Sequence, residues 1–163
     1  MKLIAHRGNV SGPKPSQENN PDYIDEALFA GFDAEIDLRY HPLTETIWLG
    51  HDEPQYKITW WWLAKRNEQL WIHCRDLNTL DYLSSSTSGY NYFWHENDTY
   101  TLTSKKIIWS SPNTPSTLNS VILMPEFSSK DFSRLKVKNC YGICSDYVGQ
   151  MLCHQRLFLV WRN

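Results

Sequence analysis

The sequence AEIDL at residues 34–38 places two carboxylates two positions apart in an apolar run that predicts a β-strand over Phe32–Leu38. Residues i and i+2 of a strand share a face, so Glu35 and Asp37 point the same way. Adjacent carboxylates repel each other, and a bound divalent cation removes that cost. The pair favours a site for a hard metal ion such as Mg²⁺ or Ca²⁺. Taken alone, an E-x-D pair is more often two solvated charges.

Two other apolar runs end in groups that move protons or hold phosphate: IAHRGN at 4–9 and LGHD at 49–52. Histidine titrates near neutral pH, so His6 and His51 can act as base and acid if they lie across one substrate. Arg7 adds a forked cation suited to phosphate. If the predicted strands are parallel, their polar ends meet at one edge of the sheet, where active sites form.

Length and composition predict one globular domain over residues 1–163, since 41% of the residues are hydrophobic and 21% are charged. A net charge of -2 with no long basic run argues against nucleic acid as a partner. No apolar stretch approaches the roughly 20 residues of a membrane span, and the start lacks a signal-peptide pattern. We therefore interpret the four cysteines as reduced thiols in a cytoplasmic protein. The pattern leaves the oligomeric state open.

Short apolar runs bounded by turn residues predict eight strands. They are Leu3–His6, Phe32–Leu38, Thr46–Gly50, Leu70–Cys74, Tyr90–Trp94, Lys106–Trp109, Ser120–Met124 and Cys140–Cys144. Predicted helices run from the Asn20 cap to Gly31, over about Thr59–Lys65, over Asn78–Leu83, and briefly from near Asp131.

This order of elements predicts an α/β fold with a parallel sheet, and eight strands suggest a compact (β/α)8 TIM-type barrel. Such barrels typically need about 250 residues, so several helices must be shortened or replaced by loops. An open α/β sheet is the alternative.

Taken together, IAHRG, QEN at 17–19, AEIDL and GHD resemble the glycerophosphodiester phosphodiesterase family. More broadly, they are similar to the barrel phosphodiesterases related to phosphatidylinositol-specific phospholipase C. The family pattern is H-R-G, P-E-N-T, E-x-D and H-D, in this order. The resemblance covers residues 3–52, returns in YGICSDYV at 141–148, and is faint between 76 and 139. It implies an eight-stranded barrel and metal-dependent cleavage of a small phosphodiester.

The resemblance also implies roles for individual residues. By position, His6 and His51 match the acid-base pair, Arg7 the phosphate contact, Glu35 and Asp37 two metal ligands, and Glu18 and Asn19 the Glu-Asn of the second motif. Glu18 and Asn19 are therefore expected to contact substrate. Two departures flank them, because Gln17 and Asn20 replace the Pro and Thr of the family motif.

The larger departure is WIHCRD at 71–76, where the family usually has I-E-x-K. His73 takes the place of the third metal-binding Glu, and Arg75 that of a Lys near the phosphate. Imidazole suits Mn²⁺ better than it suits Mg²⁺ or Ca²⁺, so His73 makes Mn²⁺ a candidate. Four further residues end predicted strands and are expected to line the mouth, although each can equally cap a loop: His95, Asp98, Glu126 and Asp146. Of these, His95 and Glu126 are predicted to bind substrate.

Three functions follow as hypotheses. The first is a metal-dependent phosphoric diester hydrolase with a two-histidine mechanism. The second is a catalytically inactive barrel that binds a phosphorylated small molecule or sugar, because His73 removes a carboxylate. The third is an interaction domain that uses Trp60–Trp62 as its contact surface, although such a run is more often part of a helix whose Trp rings cover the protein core. Retention of both His6 and His51 favours the enzyme.

Overall fold

The computed structural model describes residues 1–128 and 140–152. Its sheet has ten strands: β1 Lys2–His6, β2 Asp33–His41, β3 Thr46–Leu49, β4 Tyr56–Ile58, β5 Leu70–Cys74, β6 Tyr92–Phe93, β7 Tyr100–Leu102, β8 Ile108–Ser110, β9 Ser120–Leu123 and β10 Gly142–Ser145. The helices are α1 Pro21–Phe29, α2 Trp60–Lys65, α3 Leu77–Ser85 and a 3₁₀ turn at Pro125–Phe127. The helix predicted near Asp131 and the fourth cysteine, Cys153, lie outside the described residues.

The strands β6, β5, β2, β1, β10, β9 and β8 run parallel, in that spatial order. Antiparallel strands extend this sheet, since β3 and β4 follow β2 and β7 pairs with β8. The sheet is curved. Its two end strands in this order come close together, as the stacking of Phe93 on β6 with Trp109 on β8 shows, with ring centroids 4.5 Å apart. Two hydrogen bonds also join these parts of the sheet. The hydroxyl of Thr101 donates to the Trp94 carbonyl, and the backbone N–H of Ser104 donates to the Tyr92 carbonyl.

The predicted (β/α)8 TIM-type barrel is wrong. The chain instead forms a mixed, strand-rich half-barrel with four short helices among residues 1–128 and 140–152. The physical reason lies in the connections. Only four residues join His41 to Thr46, too few for the crossover that parallel strands need, so β3 returns as a hairpin. The segment SSPNTPSTLNS at 110–120 holds two prolines and forms turns between β8 and β9.

Helix α1 forms where the cap signals predict it. Asn20 is extended and its side chain accepts from the backbone N–H of Asp22, while Pro21 occupies the first turn without losing a hydrogen bond. Tyr23, Ile24 and Ala27 face the sheet and are buried. The helix thus covers the outer face of the half-barrel between β1 and β2 and leaves the inner face open.

Alternation along β2 separates the core from the site. Ala34, Ile36 and Leu38 point outward and are buried among the apolar side chains of the helices. Glu35 and Asp37 point to the inner face and are also buried. Deeper in the half-barrel, an apolar cluster fills the interior below them. It comprises Ile4, Trp71, Phe93, Ile107, Trp109, Val121 and Cys144. The polar residues at this end of the inner face therefore lie directly on a layer of packed apolar side chains that excludes water.

The three consecutive tryptophans mainly cover the core. Trp60 and Trp62 pack against the outer apolar cluster, whereas Trp61 is 67% exposed. The Trp60 ring stacks on Tyr82 at 4.6 Å, and the guanidinium of Arg66 lies 4.3 Å from the Trp62 ring. Within the described ranges, no helix is long and apolar enough to cross a membrane.

Gly50 directly follows β3 and has a backbone conformation that other residues rarely adopt. Its φ is +150°, and a Cβ atom there would lie 2.0 Å from the backbone oxygen of Glu53. Gly31 also has positive φ, at +91°, but a Cβ atom there would meet nothing within 4 Å. A side chain at Gly31 would therefore introduce backbone strain alone, whereas a side chain at Gly50 would introduce backbone strain and a steric clash.

We expect Gly31→Ala to lower the free energy of unfolding by about 1 kcal/mol and Gly50→Ala to lower it by about 3 kcal/mol. Urea denaturation of both variants beside wild type measures the difference. Equal losses would show that the loop after β3 is not packed as described.

Candidate functional site

A cavity of about 440 Å³ opens on the inner face at the C-terminal end of the parallel strands. It is lined by His6, Arg7, Glu35, His51, His73, Arg75, Phe93, His95, Glu96, Asn97, Trp109 and Leu123. The structure thus brings together, in one cavity, most of the residues that sequence patterns single out. It adds an aromatic and apolar wall that the sequence does not indicate.

Glu35, Asp37 and His73 form a compact cluster, with one ligand atom of each lying within 4.8 Å of the others. Register explains the cluster, because Asp37 on β2 pairs directly with His73 on β5, and Glu35 precedes Asp37 by two residues. All three residues are buried. Two carboxylates and an imidazole at this separation can hold a divalent metal ion.

The hydrogen bonds of His73 determine which nitrogen is free. Its Nε2 lies 3.2 Å from the carbonyl oxygen of His95, which can only accept, so Nε2 carries the proton. The Nδ1 lone pair then faces Oδ1 of Asp37 at 3.3 Å. That carboxylate oxygen is buried and has no hydrogen-bond partner among the described residues. With a neutral His73 two acceptors face each other, and a cation between them, either a proton on Nδ1 or a metal ion, relieves the repulsion.

The pKa values of the two adjacent buried carboxylates move in opposite directions. For Glu35, burial and the neighbouring charge of Asp37 raise the pKa. For Asp37, burial alone would raise the pKa, but the nearby His73, the charge of Arg7 and a hydrogen bond from Asn19 hold it well below its usual range. Asp37 therefore carries the permanent negative charge of the site.

Glu18 and Asn19, expected to contact substrate, lie behind the cluster and do not line the cavity. Asn19 makes two bonds of 2.9 Å to Asp37, one to the carboxylate and one from the backbone N–H. Arg7 places Nε 3.0 Å from Asp37 and Nη1 3.1 Å from Glu18. Arg7 and Asn19 both have positive φ, at 50° and 62°, a strain that neighbouring contacts maintain.

His6 is oriented by Asp146, which lies 140 residues away in the chain. The Nδ1 of His6 is 2.8 Å from Oδ1 of Asp146, so Nδ1 carries the proton and Nε2 faces the carboxylate of Glu35 at 4.0 Å. Burial alone would lower the pKa of His6. The bond to Asp146 and the charge of Glu35 outweigh burial and raise that pKa.

Glu126 supports Asp146 and does not line the cavity, although it was expected to bind substrate. One of its carboxylate oxygens accepts from the backbone N–H of Asp146 at 3.0 Å, and the other accepts from the Ser145 hydroxyl at 2.9 Å. Asn9 donates to Asp146 at 2.8 Å from the other side. Asp146 is therefore held on two sides in the position where it meets His6.

His51 reaches the cavity by a different route from the one predicted. It follows an antiparallel strand, and the backbone N–H of Gly50 donates to the Asp37 carbonyl at 3.1 Å, which returns the chain to the mouth. The Nδ1 of His51 is 2.7 Å from the exposed carboxylate of Asp52. Partial burial and the charges of Arg7 and Arg75 lower the pKa of His51, against the opposing charge of Asp37.

Arg75 and His95 surround His73. Nη1 of Arg75 lies 3.5 Å from both ring nitrogens of His73, so the guanidinium sits over the ring face. The His95 ring stacks on His73 at 4.7 Å and 9°. Burial, with the charges of His73 and Arg75, lowers the pKa of His95 to about 4, so this imidazole is neutral at physiological pH.

Sequence patterns missed the rest of the cavity wall, formed by Phe93, Glu96, Asn97, Trp109 and Leu123. These residues lie in the region where no motif is apparent, and tertiary packing brings them to the site.

Comparison of the chain with models of protein families, with curated proteins and with solved structures finds no match.

We expect Asp146→Asn to lower the pKa of His6, because the substitution removes the partner that offsets burial. The ring C–H resonances of His6, followed by NMR through a pH titration, measure the change. Asp81→Asn, on the exposed side of α3, is the control and should leave the pKa of His6 as in wild type. An unaltered pKa in Asp146→Asn would show that the bond does not form in solution.

Proposed function

We propose that this chain is a metal-dependent phosphoric diester hydrolase that acts on a small, glycerophosphodiester-like molecule. One observation carries the proposal: a single cavity is lined by four histidines and two arginines, and it includes Glu35 and His73 of a carboxylate-imidazole cluster that the buried Asp37 completes. The order of the H-R-G, E-x-D and H-D motifs, which resembles that of glycerophosphodiester phosphodiesterases, supports the same function.

Arg75 is the better placed of the two arginines to bind phosphate. The guanidinium of Arg7 is engaged by Glu18 and Asp37 at 3.1 and 3.0 Å. Arg75 lies 3.8 Å from Asp37, its Nε donates to the His51 carbonyl at 3.2 Å, and its Nη1 lies 3.5 Å from the ring nitrogens of His73. Its remaining N–H groups can therefore donate in a fork to two phosphate oxygens, while Arg7 contributes charge from the cavity wall.

Glu35, Asp37 and His73 would hold the divalent metal ion, and the free Nδ1 of His73 and the unpartnered oxygen of Asp37 fit that role. A bound divalent cation neutralises phosphate charge and makes a hydroxyl group more acidic. Arg7 and Asn19 then keep Asp37 in place through its second oxygen.

His6 and His51 complete the reaction as proton carriers. As the attacking oxygen bonds to phosphorus, one imidazole takes its proton. As the bond from phosphorus to the leaving oxygen breaks, the other imidazole gives that oxygen a proton. Each ring is oriented by a carboxylate, Asp146 for His6 and Asp52 for His51.

The purified protein should hydrolyse bis(p-nitrophenyl) phosphate or a glycerophosphodiester, and a chelator should abolish the reaction. We expect His6→Ala and His51→Ala each to lower the rate by roughly 10²–10⁴, because each removes one proton carrier. Release of p-nitrophenol, or of the alcohol product, measures the rate.

His41→Ala is the matched control, since His41 is exposed and its side chain lies 2.9 Å from the nearby Thr44 hydroxyl, outside the cavity. Its rate should equal that of wild type. Phosphate binding without turnover across several diesters and metals would contradict the hydrolase and favour a binding protein.

The metal preference tests the role of His73. We expect Mn²⁺ to bind wild type more tightly than Mg²⁺, and His73→Glu to narrow or reverse that gap, because Mg²⁺ prefers oxygen ligands. Isothermal titration of both metals into both proteins measures the ratio. His41→Glu adds the same group outside the site and should leave the ratio of the Mn²⁺ and Mg²⁺ affinities unaltered. If this ratio is the same in His73→Glu as in wild type, His73 does not bind the metal ion.

A further inference from the structure

Arg39 makes an unusual set of contacts at the end of the inner face of β2. It follows Glu35 and Asp37 by the same two-residue step and lies beyond them toward the mouth. Its guanidinium donates to three consecutive backbone carbonyls. Nε donates to Gly50 at 3.1 Å, and Nη2 donates to His51 at 2.6 Å and to Asp52 at 2.9 Å.

No carboxylate pairs with Arg39 within 4.0 Å in residues 1–128 and 140–152. Its charge is therefore compensated mainly by these carbonyl dipoles. Leu38 on β2 pairs with Cys74 on the neighbouring strand β5. This pairing brings the next residues of the two strands, Arg39 and Arg75, alongside each other. Nε of Arg75 also donates to the His51 carbonyl, at 3.2 Å. One carbonyl thus lies between two guanidinium groups that would otherwise repel.

We propose that Arg39 is a positioning residue that fixes the loop carrying His51. It does not line the cavity, so it acts through the loop and not on the substrate. The statement that this loop serves catalysis rests on the proposed hydrolase. The statement that Arg39 orders the loop does not.

A guanidinium is required because a planar fork can donate in several directions at once, whereas the ammonium of Lys is a point charge on a flexible stem. Apart from Arg75, whose Nε also donates to the His51 carbonyl, the loop has few other anchors. The Gly50 N–H donates to Asp37 at 3.1 Å and the Gln55 N–H donates to Leu49 at 2.9 Å, while Asp52 and Glu53 are exposed. Without the fork, the carbonyls can turn to water and His51 can leave its position.

The kinetic arm of the test uses Arg39→Lys and Arg39→Gln. We expect kcat to fall by roughly 10–100-fold in both, since a displacement of about 1 Å in a catalytic group has that effect. KM and the Kd of Mn²⁺ should change by less than about threefold, because Arg39 touches neither the cavity nor the metal ligands. Added guanidinium, but not added ammonium, should restore part of kcat to Arg39→Ala.

The control is Arg66→Gln, which removes an arginine of similar burial that bonds to Asp25 and to the Trp62 carbonyl on α2. Its kcat should equal that of wild type. A parallel loss of kcat and Mn²⁺ affinity in Arg39→Gln, without rescue by guanidinium, would reduce Arg39 to a general structural role and overturn the proposal.

The second arm does not depend on activity. Amide hydrogen exchange at Gly50 should be at least about tenfold faster in Arg39→Gln than in wild type, while exchange at Ile72 in β5 stays the same. If wild type shows no turnover, the hydrolase proposal fails, and this arm alone decides the role of Arg39. Unaltered exchange at Gly50 in Arg39→Gln would overturn the proposal whatever the kinetics show.

Discussion

The site depends on one fully buried charge, the carboxylate of Asp37, which has no exposed surface. A charge removed from water is costly unless other groups compensate it. Here Asn19 donates to one oxygen and Arg7 lies beside the same oxygen, while the other oxygen faces Nδ1 of His73. The Gly50 N–H donates to the Asp37 carbonyl. Contacts from four separate segments of the chain thus converge on this residue.

The strand that carries Asp37 also organises the sheet. β2 pairs with β1 and β5 along its first half and with β3 along its second half. Because it is nine residues long, it extends past its parallel neighbours, and the hairpin folds back onto this extension. That return brings His51 next to a site built mainly from parallel strands.

Local patterns in the sequence predicted the elements that local physics determines. Asn20 and Pro21 begin α1, and alternation along β2 places Glu35 and Asp37 on one face. The barrel was wrong because strand direction depends on connection length, and the turn before Thr46 is too short for a parallel crossover. A short apolar run alone does not reveal its direction.

The partners within the site were the least predictable part. The contact between His6 and Asp146 joins opposite ends of the chain, and no local pattern indicates it. Glu126 was placed against substrate because it follows a strand, yet its two oxygens hold Ser145 and Asp146. Arg39 was not singled out at all, since a charged residue near a strand end has no distinctive pattern. Contacts of this kind follow from tertiary packing.

The central claim is that Glu35, Asp37 and His73 bind one metal ion. Anomalous diffraction at the manganese edge, from crystals soaked in Mn²⁺, tests it most directly. We expect a single strong peak among these three side chains, roughly 2.0–2.3 Å from Nδ1 of His73 and from one oxygen of each carboxylate. A peak elsewhere, or no peak while Arg7 still spans Glu18 and Asp37, would contradict it.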